Sequence, residues 1–87
     1  RMGDCILRLY RSAVTVGTEW EPAVAAMPAR PAVVFHGADD PFVDEACAQR
    51  IADRLGARLV TYADCGHWWN WEQAPATAAI LTDLWAE

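Results

Sequence analysis

Apolar residues along the chain follow two different rhythms. Ile6, Leu9, Tyr10 and Ala13 recur at the spacing of one helical face, so residues 4–14 are expected to form an amphipathic helix. Thr18 precedes Glu21 by three positions, the spacing of a capping box, which predicts a short helix from about Glu19 to Met27. Pro28 and Pro31 then release the chain extended, because a residue before proline avoids the α region. The second rhythm is an unbroken apolar run. Ala32-Val33-Val34-Phe35-His36, closed by Gly37, suits a strand buried on both faces, as in a parallel sheet.

After the polar loop Ala38 to Pro41, Asp44 can cap a helix that runs to about Leu55. Its stripe is Cys47, Ala48, Ile51, Ala52 and Leu55, and Gly56 stands where a left-handed terminal glycine belongs. Arg58 to Tyr62 reads as a second strand, and Ala63 to Gln73 as a long loop. Ala74-Pro75 opens a last helix with Ala78, Leu81, Leu84 and Trp85 on one face. Strand, helix, strand, helix is a βαβα unit with a right-handed crossover and parallel strands. The predicted fold class is therefore α/β: a partial, mostly parallel sheet with flanking helices. Two strands are too few for a stable open sheet. Because the first helical stripe is already under way at the start, residues 1–87 are read as one part of a single larger domain.

Composition narrows the function classes. The 87 residues are 54% hydrophobic, which is a globular interior and not a disordered tail. Every basic residue is Arg, and 12 acids against 7 bases leave a net charge of -5 with no basic run. Such a chain is a poor partner for nucleic acid or an anionic membrane, whose phosphates demand clustered cations. No apolar stretch approaches the ~20 residues that span a bilayer. Cys5, Cys47 and Cys65 are odd in number and widely spaced, which argues against a disulfide framework or a zinc site and for a reducing cytoplasm. Asp64, Cys65 and His67 stand too close together to wrap a tetrahedral metal.

Chemistry concentrates in two loops. Ligands of open α/β sheets sit at the carboxyl ends of the strands, and both loops leave from that edge. One carries Asp39 and Asp40; the other carries His67. One helix and one strand separate Asp40 from His67, so the crossover returns both to the same edge on neighbouring strands. A carboxylate that meets a His ring nitrogen is the orienting half of a nucleophile–His–acid relay. It fixes the imidazole tautomer and stabilises the imidazolium that forms.

The residues themselves carry a resemblance. Phe35-His36-Gly37-Ala38-Asp39-Asp40-Pro41-Phe42-Val43 resembles the H-G-x-x-D-x-x-V segment of α/β-hydrolase-fold enzymes. Cys65-Gly66-His67-Trp68, with Trp71-Glu72, resembles their catalytic-histidine loop. The nearest likeness is to the hydrolases that cleave carbon–carbon bonds in ring-cleavage products, and it covers about residues 6–87. Leu7 to Ser12 is similar to the segment that enters the penultimate catalytic strand. The resemblance implies Asp40 as the triad acid, His67 as the general base and Trp68 at a small-molecule substrate pocket, with no cofactor and no metal. The family nucleophile stands earlier in the chain on a G-x-S-x-G elbow, and nothing here matches it. Ser12, the only serine, lies in a helical pattern without flanking glycines. The chain is thus read as the C-terminal part of such a hydrolase, inactive by itself.

Plainer roles compete at each position. Asp40 could cap the turn at Pro41, and Asp44 is explained as a helix cap. Asp39 reads as a solvated or loop-bonding residue, His36 as packed or bonded to backbone. Trp68 serves a pocket or packing equally well; Trp69 and Trp71 read as packing or interface. The cysteines read as small buried hydrophobes. Within the hydrolase class, an esterase, an epoxide hydrolase or a dehalogenase stays open. So does a non-catalytic, truncated α/β module that binds another chain. In either case the bare sheet edge is expected to drive self-association or partial folding.

Overall fold

The computed structural model describes residues 1–87. Seven elements follow one another: α1 (Met2–Ser12), α2 (Val16–Ala25), β1 (Val33–Gly37), α3 (Glu45–Leu55), β2 (Arg58–Tyr62), α4 (Trp69–Glu72) and α5 (Ala74–Trp85). β1 and β2 pair in parallel, in register from Val33 opposite Arg58 to Gly37 opposite Tyr62. The architecture is mixed α/β around a two-stranded parallel sheet. No helix is long and apolar enough to cross a membrane.

Side chains alternate across a strand, so Val33, Phe35, Val60 and Tyr62 share one face of the sheet. Trp69 stacks on Phe35 at 4.9 Å between ring centroids, and Tyr62 Oη lies 2.8 Å from Thr77 Oγ1. Those contacts bring α4 and α5 to that face. α3 packs against both strands through Ala48 and Ala52, whose small side chains let the helix come close. Its start and stop follow local chemistry. Asp44 accepts the Cys47 amide at 2.8 Å, and Gly56 takes φ +62°, a left-handed turn that costs glycine least.

Several sequence expectations need correction. α2 begins at Val16, not Glu19, and ends at Ala25. Thr15 rather than Thr18 precedes it, and the Thr15 hydroxyl bonds the Glu19 carboxylate at 2.7 Å. Pro28 keeps Met27 out of the helix, which closes instead with a tight Met27 N–H to Val24 carbonyl bond. Ile51 is half exposed: a sheet of two strands is too narrow to cover the flank of the α3 stripe. Trp85 and Ala78 face solvent, and Thr77, Ile80, Leu81 and Leu84 form the more sheltered side of α5. The long loop contains the short helix α4. Cys65 is buried as expected, but Cys5 is exposed and Cys47 only half buried.

The unit is open. Only 6 of 87 residues are buried, and none of them lies in α1 or α2. The radius of gyration is 15.5 Å, whereas a compact chain of this length has about 12 Å. α2 is tied to α3 across the molecule by a two-pronged ion pair between Glu21 and Arg54.

Candidate active site

The two loops that carry the chemistry are stitched together beyond the end of the sheet. Ala38 N–H donates to the Tyr62 carbonyl at 2.9 Å, which extends the β1–β2 ladder by one step. Asp39 N–H donates to the Cys65 carbonyl at 2.9 Å and joins loop to loop. Gly37 permits this approach, because a Cβ on it would stand 2.1 Å from the Gly66 carbonyl oxygen. The loop after β1 therefore has one placement relative to the loop after β2.

That placement sets Asp40 against His67. Asp40 Oδ2 lies 2.9 Å from His67 Nδ1, inside hydrogen-bond range. The other carboxylate oxygen accepts the Phe42 amide at 2.7 Å and the Val43 amide at 3.2 Å. An ionised carboxylate only accepts, so Nδ1 of the neutral ring carries the proton and donates it. Nε2 is left with its lone pair and bonds nothing within the chain. The Asp40 side chain is 4% exposed and that of His67 44%, a sheltered acid behind an accessible base. Two roles proposed for Asp40 thus coexist: it organises the turn with one oxygen and holds His67 with the other.

Burial of the Asp40 carboxyl works to raise its pKa. The His67 hydrogen bond and the Phe42 and Val43 amides outweigh it, so the group sits below its ordinary value and stays charged. The Cys47 amide, followed by its thiol, depresses Asp44 in the same direction. Folded carboxyls with lowered pKa bind fewer protons than unfolded ones. Their stabilisation is complete above the ordinary carboxylate value of about 4 and is lost as pH falls from there through the lowered folded value. Urea midpoints are therefore expected to fall between pH 6 and pH 3, and to fall less for Asp40→Asn. An equal loss in that variant would place the acid sensitivity elsewhere.

His67 is flanked by two aromatic rings, both edge-on. Trp68 lies 5.4 Å away at 78° and Phe42 5.1 Å away at 73°. Both are mostly exposed, so they flank the imidazole at the surface and are not core. A hollow of about 490 Å³ opens beside Trp68, lined by Trp68, Trp71 and Glu72. A larger groove of about 780 Å³ runs between residues 24–32 and the end of α3. It lies at the amino end of the strands, away from Asp40 and His67.

The remaining candidates fall into place around this pair. The Asp39 side chain makes no hydrogen bond; only its backbone contributes. His36 is buried and its Nε2–H donates to the Val43 carbonyl at 2.8 Å, so it supports the Asp40 turn from below. Trp69 packs, as expected, and Trp71 is 85% exposed. Ser12 Oγ donates to the Leu9 carbonyl at 2.7 Å on α1, and no hydroxyl or thiol of the chain bonds His67. Burial, reinforced by Glu72 and Asp64 against the pull of Gln73, pushes the Cys65 thiol up, which suits a packed side chain and not a nucleophile. Sequence reasoning gave no role to Phe42, although it stands two positions after Asp40. It also missed the Gly37–Gly66 approach, whose signal was a glycine one residue before each loop turns.

No protein-family model matches the chain, and no solved structure matches it.

Proposed function

We propose that Asp40 and His67 are the acid and the general base of a hydrolytic nucleophile–His–acid relay, in the C-terminal part of an α/β-hydrolase-fold enzyme. One observation carries the reading: a sheltered carboxylate 2.9 Å from Nδ1 of an accessible imidazole, at the carboxyl edge of a parallel sheet. The free Nε2 is the atom that takes a proton from an attacking nucleophile and later returns it to the leaving group. Asp40 keeps the ring in the tautomer that leaves Nε2 unprotonated and stabilises the imidazolium in between. The nucleophile and the oxyanion donors come from a segment outside residues 1–87. Trp68, which lines the hollow shared with Trp71 and Glu72, forms one wall of a pocket for a small-molecule substrate. The reaction calls for no cofactor, since proton transfer and covalent attack suffice.

The experiment is made in two proteins. The isolated 87 residues are expected to hydrolyse an activated ester no faster than a His67→Ala control, because nucleophile and oxyanion donors supply much of the rate. Turnover abolished by Ser12→Ala would refute that. The protein extended by the coding sequence upstream of Arg1 is then assayed on activated esters, ring-cleavage products, epoxides and haloalkanes. His67-dependent turnover of one class supports the relay and selects the chemistry. An extended protein with neither turnover nor a nucleophile elbow assigns the chain to a non-catalytic binding module.

A further inference from the structure

We infer that His36 is a positioning residue for the Asp40–His67 pair: through the Val43 carbonyl it anchors the turn that aims the Asp40 carboxylate, and so keeps the His67 proton on Nδ1. Its catalytic consequence rests on the relay reading; the anchor itself is a matter of β1 and the loop that follows it.

That loop has little backbone bonding of its own. Asp40 N–H donates to the Gly37 carbonyl at 3.1 Å, but from Pro41 to Val43 no backbone group bonds another backbone group. Two side chains take over. One is Asp40, whose Oδ1 accepts the Phe42 and Val43 amides. The other is His36, whose Nε2–H donates to the Val43 carbonyl at 2.8 Å. The carboxylate shapes the turn and the turn shapes the carboxylate, so the two by themselves have no outside reference. His36 supplies one. It stands on β1 in register with Thr61, and its side chain leaves the face opposite the one where Phe35 meets Trp69.

Val43 makes the connection. Its carbonyl receives His36, and on the other side of the same Cα its amide gives to Asp40 Oδ1 at 3.2 Å. Asp40 Oδ2 then meets His67 Nδ1 at 2.9 Å. Hydrogen bonds thus run from a buried imidazole to an accessible one, all closed within residues 36–67. Which nitrogen of an imidazole holds the proton is set by the bonds the ring makes. A carboxylate that drifts from Nδ1 lets the proton pass to Nε2.

The second nitrogen of His36 shows what the ring is for. His36 is 3% exposed, and its Nδ1 is buried without a hydrogen-bond partner. A carbonyl only accepts, so Nε2 holds the proton and Nδ1 is a bare acceptor. An unpaired buried acceptor costs stability that an apolar side chain of the same shape would not lose. Packing therefore does not account for a histidine at this position. The donor at Nε2 does.

The test reads tautomers. Long-range proton–nitrogen correlation spectra of the full 87-residue chain are taken near pH 8, above the ordinary imidazole value of about 6.5. They are expected to show His67 protonated on Nδ1 and His36 on Nε2. His36→Leu fills the space without a donor; His67 should then gain Nε2–H signal while the urea midpoint holds or rises. His36→Met repeats this with a more adaptable side chain. His36→Gln, whose amide can donate from near the position of Nε2, should restore Nδ1–H. In the extended protein His36→Leu should lower kcat about ten- to a hundredfold, the loss that a misplacement of about 1 Å brings, with KM unchanged and kcat recovered in His36→Gln. A His67 proton that stays on Nδ1 in the Leu and Met variants overturns the inference. So does one that Gln fails to restore, or a parent His36 protonated on Nδ1. The relay fails separately. A His67 tautomer indifferent to Asp40→Asn removes the pair, and the inference with it. Tautomers that respond as expected, in an extended protein without His67-dependent turnover, keep the anchor and overturn the relay.

Discussion

Asp40→Asn, made in the extended protein that carries a nucleophile, is expected to lower kcat on an activated ester about 10⁴-fold, the loss a relay suffers when its histidine is held in the wrong tautomer. The amide that replaces the carboxylate can donate to Nδ1. It then stabilises the ring with its proton on Nε2, where no proton can be accepted. KM should change little, because Asp40 lies behind His67 and is almost wholly covered. Asp39→Asn is the matched control. Its side chain bonds nothing, and its backbone bond to Cys65 survives the change. Steady-state kinetics of the two variants decide the matter. Equal small losses would place a different carboxylate behind His67, or none.

Gly37→Ala carries the second large effect, on folding. The added Cβ would meet the Gly66 carbonyl oxygen at 2.1 Å and the Cys65 carbonyl oxygen at 2.6 Å. Both are backbone atoms in a loop already pinned by Asp39, so neither can swing aside as a side-chain tip would. Overpacking costs about 1–3 kcal/mol and occasionally more, and a clash with two backbone oxygens falls at the upper end. Small domains hold roughly 0.05–0.15 kcal/mol per residue, so the change removes a large share of what this chain has. Urea unfolding followed by far-UV circular dichroism should show the midpoint collapse. Gly17→Ala, at an open position inside α2, should be neutral or slightly stabilising. A Gly37→Ala chain as stable as its parent would mean that the loops do not approach as described.

The parts of the fold readable in the sequence are those where local chemistry and burial agree. β1 was legible because an unbroken apolar run ended in glycine. α3 was legible because a capping aspartate and a left-handed glycine bracket it, and both act through backbone geometry alone. The ends of α2 were not. Thr18 and Glu21 have the spacing of a cap, but Thr15 and Glu19 make a competing contact one turn earlier. Nothing in a spacing rule ranks the two. The outer stripes of α3 and α5 misled for another reason: hydrophobicity marks a face meant for burial, and Ile51 and Trp85 meet no surface wide enough to bury them.

At the site, the pair itself followed from topology. A parallel crossover brings the ends of successive strands to one edge, so Asp40 and His67 had to be neighbours once β1 and β2 were placed. The flank of His67 by Phe42 did not follow. An aromatic residue in a loop has no period, and its direction depends on the turn that Asp40 builds with its second oxygen. His36 is intermediate: its backbone bond was expected, its support of the Asp40 turn through Val43 was not.

The loop-to-loop bond from Asp39 to Cys65 gives Asp40 and His67 a common frame. The side-chain hydrogen bonds of both residues stay within the stretch from β1 to α4. On the proposed relay, proton handling is a self-contained cartridge, indifferent to what is offered to Nε2 from the far side. A serine, an aspartate-activated water or another attacking group could be exchanged across evolution without disturbing the histidine's tautomer. Diversity of bond type, from ester to carbon–carbon, would then be written in the segment that meets this one, and the cartridge would be inherited unchanged.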